Sequence, residues 1–317
     1  MKHLVLVDGH HLMYRAYWAI PRTLKTNDGR QVNAVFGFAS MILSLLKQEE
    51  PDALLICFDA GEETFRHQEH AEYKEGRAET PDDFYEQIPL ILECVEACSF
   101  LHVSNEQYEA DDLIASYAHA ATAAGMRVSI VSGDRDLLQL ADEHVRIIVP
   151  HKGYNQAEYI GPKEVEEKFG ITPLQVPAWK GLVGDASDNL PGVMGIGPKT
   201  ASRLLQQYHS LEGIYKHLDV VRPKEREKLL SGKEQAFFCE RMAQLVCTIP
   251  LPHPLDSLIL RNLSAEKVVQ FFRSCGFTLL LKRFRDVLES PYGQKIFKGV
   301  PAEWDCGPHE QMTLFSS

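Results

Sequence analysis

Nine carboxylates fall in five short stretches of this chain. They are Asp8 in LVLVDGHH, Asp59 in ICFDAG, Glu109, Asp111 and Asp112 in YEADDLIAS, Asp134 and Asp136 in SGDRDLL, and Asp185 and Asp188 in GLVGDASDN. Taken singly, each has an ordinary structural use. The acids of EADD suit the first turn of a helix, where they favour the dipole and cap free N–H groups, and Asp134 and Asp136 suit the start of a helix over DLLQLA. Taken together they do not, because gathering several carboxylates costs several kcal/mol of repulsion unless protons or cations compensate. A divalent metal site accounts for the set. Oxygen ligands without paired His or Cys suit Mg²⁺ or Mn²⁺ rather than zinc. So many acids exceed the needs of one ion, and two ions about 4 Å apart would clamp the attacking and leaving oxygens of a phosphodiester. His10 and His11, at the turn after Asp8, read as structural. An aspartyl-phosphate phosphatase would need a second Asp two residues after the first, where His10 stands, and is set aside.

The stretch GVMGIGPKT, residues 192–200, has the opposite character. Small residues expose backbone N–H groups ahead of a helix that carries Lys199 at its start, a favourable place for an anion. Just upstream, Asp185 and Asp188 lie three apart, and a helix ending at GLVGDASDN would put both on one face. Phosphate is repelled by the bare acids and held once cations bridge it.

The elements that must position these groups follow from hydrophobic periodicity. HLVLVD (3–8), ALLICFD (53–59), FLHV (100–103), RVSIVSGD (127–134) and VRIIVP (145–150) are short apolar runs. Helical patterns separate them, most clearly NAVFGFASMILSLLKQ (33–48) and DFYEQIPLILECVEAC (83–98), the latter with Pro89 as a possible kink. Strands alternating with helices predict an α/β domain over residues 1–172 with a mostly parallel central sheet covered on both faces. In such sheets ligands bind beyond the carboxyl ends of the strands, where Asp8, Asp59 and Asp134 fall. After ITP (171–173) strand-like runs vanish, and residues 173–290 read as a smaller all-helical domain. Residues 291–317, with three prolines and three glycines, read as a flexible tail.

Composition fits an ordinary globular protein of 317 residues, 44% hydrophobic and 24% charged. The net charge of −11 argues weakly against unspecific adhesion to nucleic acid, although metal ions invert the field locally. There is no apolar run of about 18 residues and no signal-peptide pattern at the start, so a cytoplasmic location is expected. Seven cysteines without a CxxC pair support neither zinc nor a disulfide framework, and Cys94 and Cys98 are expected to face the core.

The acid-bearing stretches in this order, followed by GVMGIGPKTASRLL, resemble the bacterial 5′-nuclease family: the 5′→3′ exonuclease domain of DNA polymerase I and stand-alone flap endonucleases. VDGHHLMYRAYWA, NAVFGF, CFD, FRHQEHAEYKEGR, YEADD, SGDRDLLQL and GLVGDASDNLPGVMGIGPKTA all carry the resemblance, which runs from about residue 3 to 288. With no polymerase domain following, the chain reads as a free-standing member. The resemblance implies a PIN-like 5′-nuclease fold with a helical arch, at about residues 62–82, and a helix-hairpin-helix in its helix-three-turn-helix form at about 181–205. By position, Asp8, Asp59, Glu109, Asp111, Asp112 and Asp134 match the family's first metal cluster, and Asp136, Asp185 and Asp188 its second. In the arch, Arg66, Lys74 and Arg77 would meet phosphates, with Lys74 and Arg77 beside the scissile one, and Tyr73 could stack on a base. Arg15 is a further candidate DNA contact. Gly195 and Gly197 would let duplex phosphates approach the backbone, Lys199 and Thr200 would add donors, and the family often binds K⁺ at this turn. Such contacts position DNA without reading its sequence.

The implied activity is structure-specific 5′→3′ exonuclease or 5′-flap endonuclease cleavage in replication and repair, by a monomer acting on branched DNA. An inert structure-specific DNA-binding protein is the alternative; an RNA-directed nuclease of the related small fold would lack the arch and hairpin. In the tail, QMTLF (311–315) resembles Q-x-x-L-F peptides that dock in the bacterial sliding clamp through Gln311, Leu314 and Phe315.

Overall fold

The computed structural model describes residues 1–61, 64–70, 72–75, 80–151 and 153–299. A six-stranded sheet runs through its centre. The strands are β1 (His3–Asp8), β2 (Ala53–Cys57), β3 (Leu101–Val103), β4 (Arg127–Val131), β5 (Val145–His151) and β6 (Gly153–Ile160), in spatial order β3-β2-β1-β4-β5-β6. The first five are parallel, and β6 returns antiparallel to β5. The chain grows outward from β1 through β2 to β3, then crosses back to lay β4 on the other side of β1. That reversal opens a crevice at the carboxyl end of β1, the place where open α/β sheets bind ligands. The register puts the end of β1 beside both neighbours, with Asp8 opposite Cys57 and Val7 opposite Val131.

Both faces of the sheet are buried, which is why the central strands are apolar without alternation. Val5, Val7, Leu54 and Ile56 point to one core, with the helices Gly9–Ala19, Asn33–Glu49 and Ile88–Ala97. Leu4, Leu6, Leu55 and Ile130 point to the other, beneath the helix Ala110–Ala123 and the helices Val176–Val183 and Pro198–Tyr208. Cys94 and Cys98 are buried in the first core.

Four local readings of the sequence are corrected. Residues 83–98 do not form one helix: a turn of helix at Asp82–Tyr85 precedes Ile88–Ala97, and Pro89 sits in the first turn of the second, where its missing N–H costs nothing. DLLQLA forms a single 3₁₀ stretch, Asp136–Leu140. The helical part is divided between the faces. The helices Ala265–Ser274 and Thr278–Glu289 cross back to the first core, where Phe272, Phe277 and Phe284 are buried at about 1.5–3 kcal/mol each. The short pairing of Leu263–Ser264 with Phe297–Lys298 closes that return, and residues 291–298, expected as the start of a flexible tail, are folded instead: the helix Pro291–Ile296 buries Tyr292 and Ile296, and Phe297 is buried after it.

Between the helices Val176–Val183 and Pro198–Tyr208 the chain folds tightly on itself. Gly192 has φ +63°, and a Cβ there would lie 2.3 Å from the Gly184 nitrogen, so only glycine fits. The hairpin is thus pressed against the end of the preceding helix.

Candidate metal centre and nucleic-acid interface

Asp8 ends β1 and caps the helix Gly9–Ala19, its Oδ1 accepting from the His11 N–H at 2.9 Å. Its Oδ2 accepts from Ser132 Oγ at 2.7 Å, and the same hydroxyl accepts from the Asp134 N–H at 3.0 Å. One fully buried serine therefore fixes the acids at the ends of β1 and β4 relative to each other. Asp59, just beyond β2, accepts from the Ala110 N–H at 2.8 Å and so ties that strand end to the helix Ala110–Ala123. Asp111 lies in the first turn of that helix, with Glu109 at its N-cap. Burial raises the Asp8 carboxyl to about 7 despite the bonds from His11 and Ser132, with Asp59 and Asp134 adding repulsion. Burial likewise raises Asp111 well above the carboxylate range, reinforced by Asp134, Asp8, Asp59 and Glu109.

Burial and mutual repulsion thus favour the protonated forms of Asp8 and Asp111 unless positive charge is supplied. The cluster's donors are carboxylate oxygens only, the chemistry of a hard divalent cation. Among the described residues, no three His, Cys, Asp or Glu side chains form a finished ligand set as they stand. Two lysines draw several of the acids instead. Lys74 Nζ donates to Glu109 Oε1 at 2.6 Å. Lys180, only 4% exposed, sits between Asp136 and Asp185, with Asp185 Oδ2 at 2.5 Å. Burial would lower the Lys180 ammonium, but Asp136 and Asp185 outweigh it and raise it. Burial raises Asp136 to about 7 in spite of Lys180. His10 and His11 are both lowered by burial, and His10 Nδ1 accepts from the Asp59 N–H at 3.0 Å, so it is neutral with its proton on Nε2.

Four expectations change on this geometry. Asp112 is wholly buried, and both its oxygens are taken by Arg66, Nη1 to Oδ2 at 2.6 Å and Nη2 to Oδ1 at 2.9 Å. It also caps the helix by accepting from the Glu109 N–H at 3.3 Å, so its role is structural and it has no oxygen to offer a metal. Arg66, placed at the phosphates by the resemblance, is 2% exposed and spends its remaining donors on Met242 O and Gln244 O. Tyr73, expected to stack on a base, is 4% exposed, packed with Leu190 and Met242 and donating to Glu109 Oε2 at 3.3 Å. Asp185 and Asp188 do not share a helix face, because the helix Val176–Val183 ends at Gly184 and both acids lie in the turn that follows. That turn is closed by reciprocal backbone bonds between Asp185 and Leu190, at 2.7 and 2.8 Å.

Gly195, Gly197 and Lys199 are exposed along the hairpin and at the start of the helix Pro198–Tyr208, with Thr200 half-buried. A Cβ on Gly197 would meet nothing within 4 Å, so the chain's own packing does not require glycine there. Arg15 is half-buried and donates to His151 O. Arg77, Gln311, Leu314 and Phe315 lie outside the described residues. A cleft of about 760 Å³ is lined by Ala115, His119, Leu174 and Cys247 among others and by none of the nine acids.

The family model for the 5′-3′ exonuclease N-terminal resolvase-like domain matches residues 3–170, and that for the 5′-3′ exonuclease C-terminal SAM fold matches residues 171–266. The chain belongs to the 5′-3′ exonuclease family. Among its relatives, DNA polymerase I of Bacillus subtilis is 41% identical over 93% of this chain and 34% of its own length. DNA polymerase I of Mycobacterium tuberculosis is 37% identical over 93% and 33%. The chain thus spans about a third of the curated relatives it matches. Of solved structures, T5 5′-exonuclease with bound zinc superposes with a TM-score of 0.65 at 21% identity, covering 91% of this chain and 99% of that one. The catalytic core of Rad2 with a DNA substrate gives 0.52 at 12%, covering 92% and 89%. These likenesses establish a shared fold.

Within this 5′-3′ exonuclease frame, Lys180, Ser132 and the Arg66–Asp112 pair are what sequence reasoning missed. A signal for Lys180 existed: a lysine inside the apolar helix VPAWKGLV, five residues before Asp185, is costly to bury unless paired.

Proposed function

We propose that this chain is a structure-specific 5′→3′ exonuclease and 5′-flap endonuclease that hydrolyses DNA phosphodiesters with Mg²⁺ or Mn²⁺, two ions being used. The observation that carries this is the delivery of acids from the ends of β1, β2 and β4, from the start of the helix Ala110–Ala123 and from the Asp185–Asp188 turn to one sheet edge at the topological switch point. Asp8, Asp59, Glu109, Asp111 and Asp134 would hold one ion, and Asp136, Asp185 and Asp188 the other. When bound, such ions supply the positive charge that activates a water and stabilises the leaving oxygen.

The chain's own residues supply the rest. Ser132 holds Asp8 and Asp134 in fixed relation. Lys74, close to Glu109, is placed to share its charge with an incoming phosphate, and Arg77 is its proposed companion. The exposed hairpin at Gly195–Lys199 positions duplex through its backbone, with Thr200 as a further donor, Arg15 as an outlying contact and K⁺ as a possible ligand of the turn. Residues 1–172 would form the nuclease part, with the arch at about 62–82, residues 173–298 the DNA-holding part and its return to the first core, and the residues beyond Lys298 a tail whose QMTLF segment docks on a sliding clamp. The protein would act as a monomer in the cytoplasm, removing flaps or primers in replication and repair; among the described residues, no helix is long and apolar enough to cross a membrane. The test is cleavage of a 5′-labelled flap duplex with Mg²⁺, with Mn²⁺ and with chelator. Product near the junction only with metal is expected; binding without product under every condition would leave a DNA-structure-binding protein.

A further inference from the structure

The segment after β2 does not stand alone over the acids. Its residues Glu72–Glu75 are bonded to the turn that carries Asp185 and Asp188. Asn189 Nδ2 donates to Glu72 O at 2.8 Å, and the Lys74 N–H donates to Asp188 O at 3.2 Å. Between these bonds Tyr73 packs on Leu190. Both partners hold an uncommon backbone shape: Asn189 has φ +57° and Lys74 φ +59°. Asparagine tolerates that left-handed region better than most residues, but lysine does not, so the shape at Lys74 needs outside support. The same turn continues into the hairpin, through the Asp185–Leu190 bonds and the close contact of Gly192 with Gly184. Hairpin, acid turn and the Lys74 backbone are therefore one hydrogen-bonded unit.

We propose that Asn189 is a positioning residue: its amide pins Glu72 O and so sets where the Lys74 ammonium stands relative to the acid edge and to duplex held at the hairpin. The inference rests on the flap-cleavage reading for its consequence in catalysis, and on geometry alone for the latch. It ties the single-strand side of the substrate to the duplex side, so that Lys74 meets the phosphate at a fixed distance from the hairpin.

The test uses the full chain and four variants: Asn189→Gly, which keeps the left-handed backbone and removes the amide, Asn189→Asp, which puts an oxygen against Glu72 O, Lys74→Ala, and Lys74→Ala combined with Asn189→Gly. Single-turnover flap cleavage in Mg²⁺, flap-duplex affinity in Ca²⁺ and hydrogen exchange of residues 72–75 are measured. Loss of one hydrogen bond predicts cleavage slowed about tenfold in both Asn189 variants, with affinity changed less than about twofold. In the Lys74→Ala background, Asn189→Gly changes the rate by less than about twofold, because the latch acts through that lysine. Exchange at the Lys74 amide becomes about tenfold faster in Asn189→Gly. An equal loss in both backgrounds, or a wild-type rate in Asn189→Gly, overturns the proposal. Should the wild type cleave no flap, the nuclease reading fails by itself, and the exchange data decide the latch: faster exchange supports it and unchanged exchange ends it.

Discussion

Lys180→Met removes the cation that holds two of the acids while keeping most of its apolar stem. Lys180 lies between Asp136 and Asp185 and is 4% exposed, so solvent screens these pairs little. Breaking a buried pair from one side costs about 3–5 kcal/mol, because the remaining charge is left without a partner. The cost depends on pH. Asp136 already stands at about 7, raised by burial against the pull of Lys180, and without the lysine it rises further. Asp185 is held below its ordinary value, against burial, by Lys180 and Ser187, and it also rises in the variant. A carboxyl whose folded value exceeds its unfolded value near 3.8 binds more protons folded than unfolded. Stability therefore falls as pH rises from about 4 through the raised value, and it falls more steeply in the variant than in the wild type. Lys180 itself is raised from 10.5 and stays charged throughout this window. In chelator at pH 8.5 the variant should melt about 6–10 °C lower, taking roughly 2 °C per kcal/mol for a chain of this size. At pH 5.5, where Asp136 carries its proton, the gap should shrink to less than half. Mg²⁺ should stabilise the variant more than the wild type at pH 8.5. An equal loss at both pH values, or none, would refute the assignment of Lys180 as the internal counter-charge.

Further consequences can be checked separately. Arg66→Ala strands Asp112 and should cost about 3–5 kcal/mol of stability, while flap-duplex affinity of the folded variant at low temperature stays within about threefold of wild type. An affinity loss without a stability loss would return Arg66 to the phosphates. Gly192→Ala forces a Cβ to 2.3 Å from the Gly184 nitrogen at φ +63°, and should both lower the melting temperature and weaken duplex binding. Unchanged duplex affinity in a folded Gly192→Ala protein would separate the hairpin from DNA binding. Deleting residues 311–317 should abolish affinity for a bacterial sliding clamp in a surface-binding assay without altering flap cleavage; unchanged clamp affinity removes the tail as its ligand.

How far the sequence could be read depended on whether each feature was local. Strands buried on both faces write themselves as apolar runs, so HLVLVD, ALLICFD and RVSIV were legible, and with them the edge to which the acids are delivered. Strand β6, GYNQAEYI, was not: at the sheet edge it carries exposed Gln156 and half-buried Glu158, its Tyr159 hydroxyl donates to Glu49, and it lacks the apolar signature. The return of Ala265–Glu289 to the first core also escaped periodicity, since a helix's apolar face does not say which partner it meets. At the site, the choice between metal ligand and cap was open for each acid, and Asp112 fell to the structural side because of Arg66, 46 residues away. The buried placement of Arg66 and Tyr73 came from the helix Lys233–Ala243 and the residues just after it, far along the chain, which cover both side chains. Charged and aromatic residues in an arch-like segment read as ligand contacts until a second element is known to lie over them.

The central claim is that acids from separate strand ends make one metal-dependent cleavage site, and Asp134→Asn tests it most directly. Asp134 contributes repulsion to both Asp8 and Asp111, and its backbone shares Ser132 with Asp8, so the amide changes charge at the centre of the cluster with little change of shape. Single-turnover cleavage of a 5′-flap duplex in Mg²⁺ should disappear in this variant, while flap affinity and melting temperature in chelator are kept or rise. Cleavage at the wild-type rate would contradict the account.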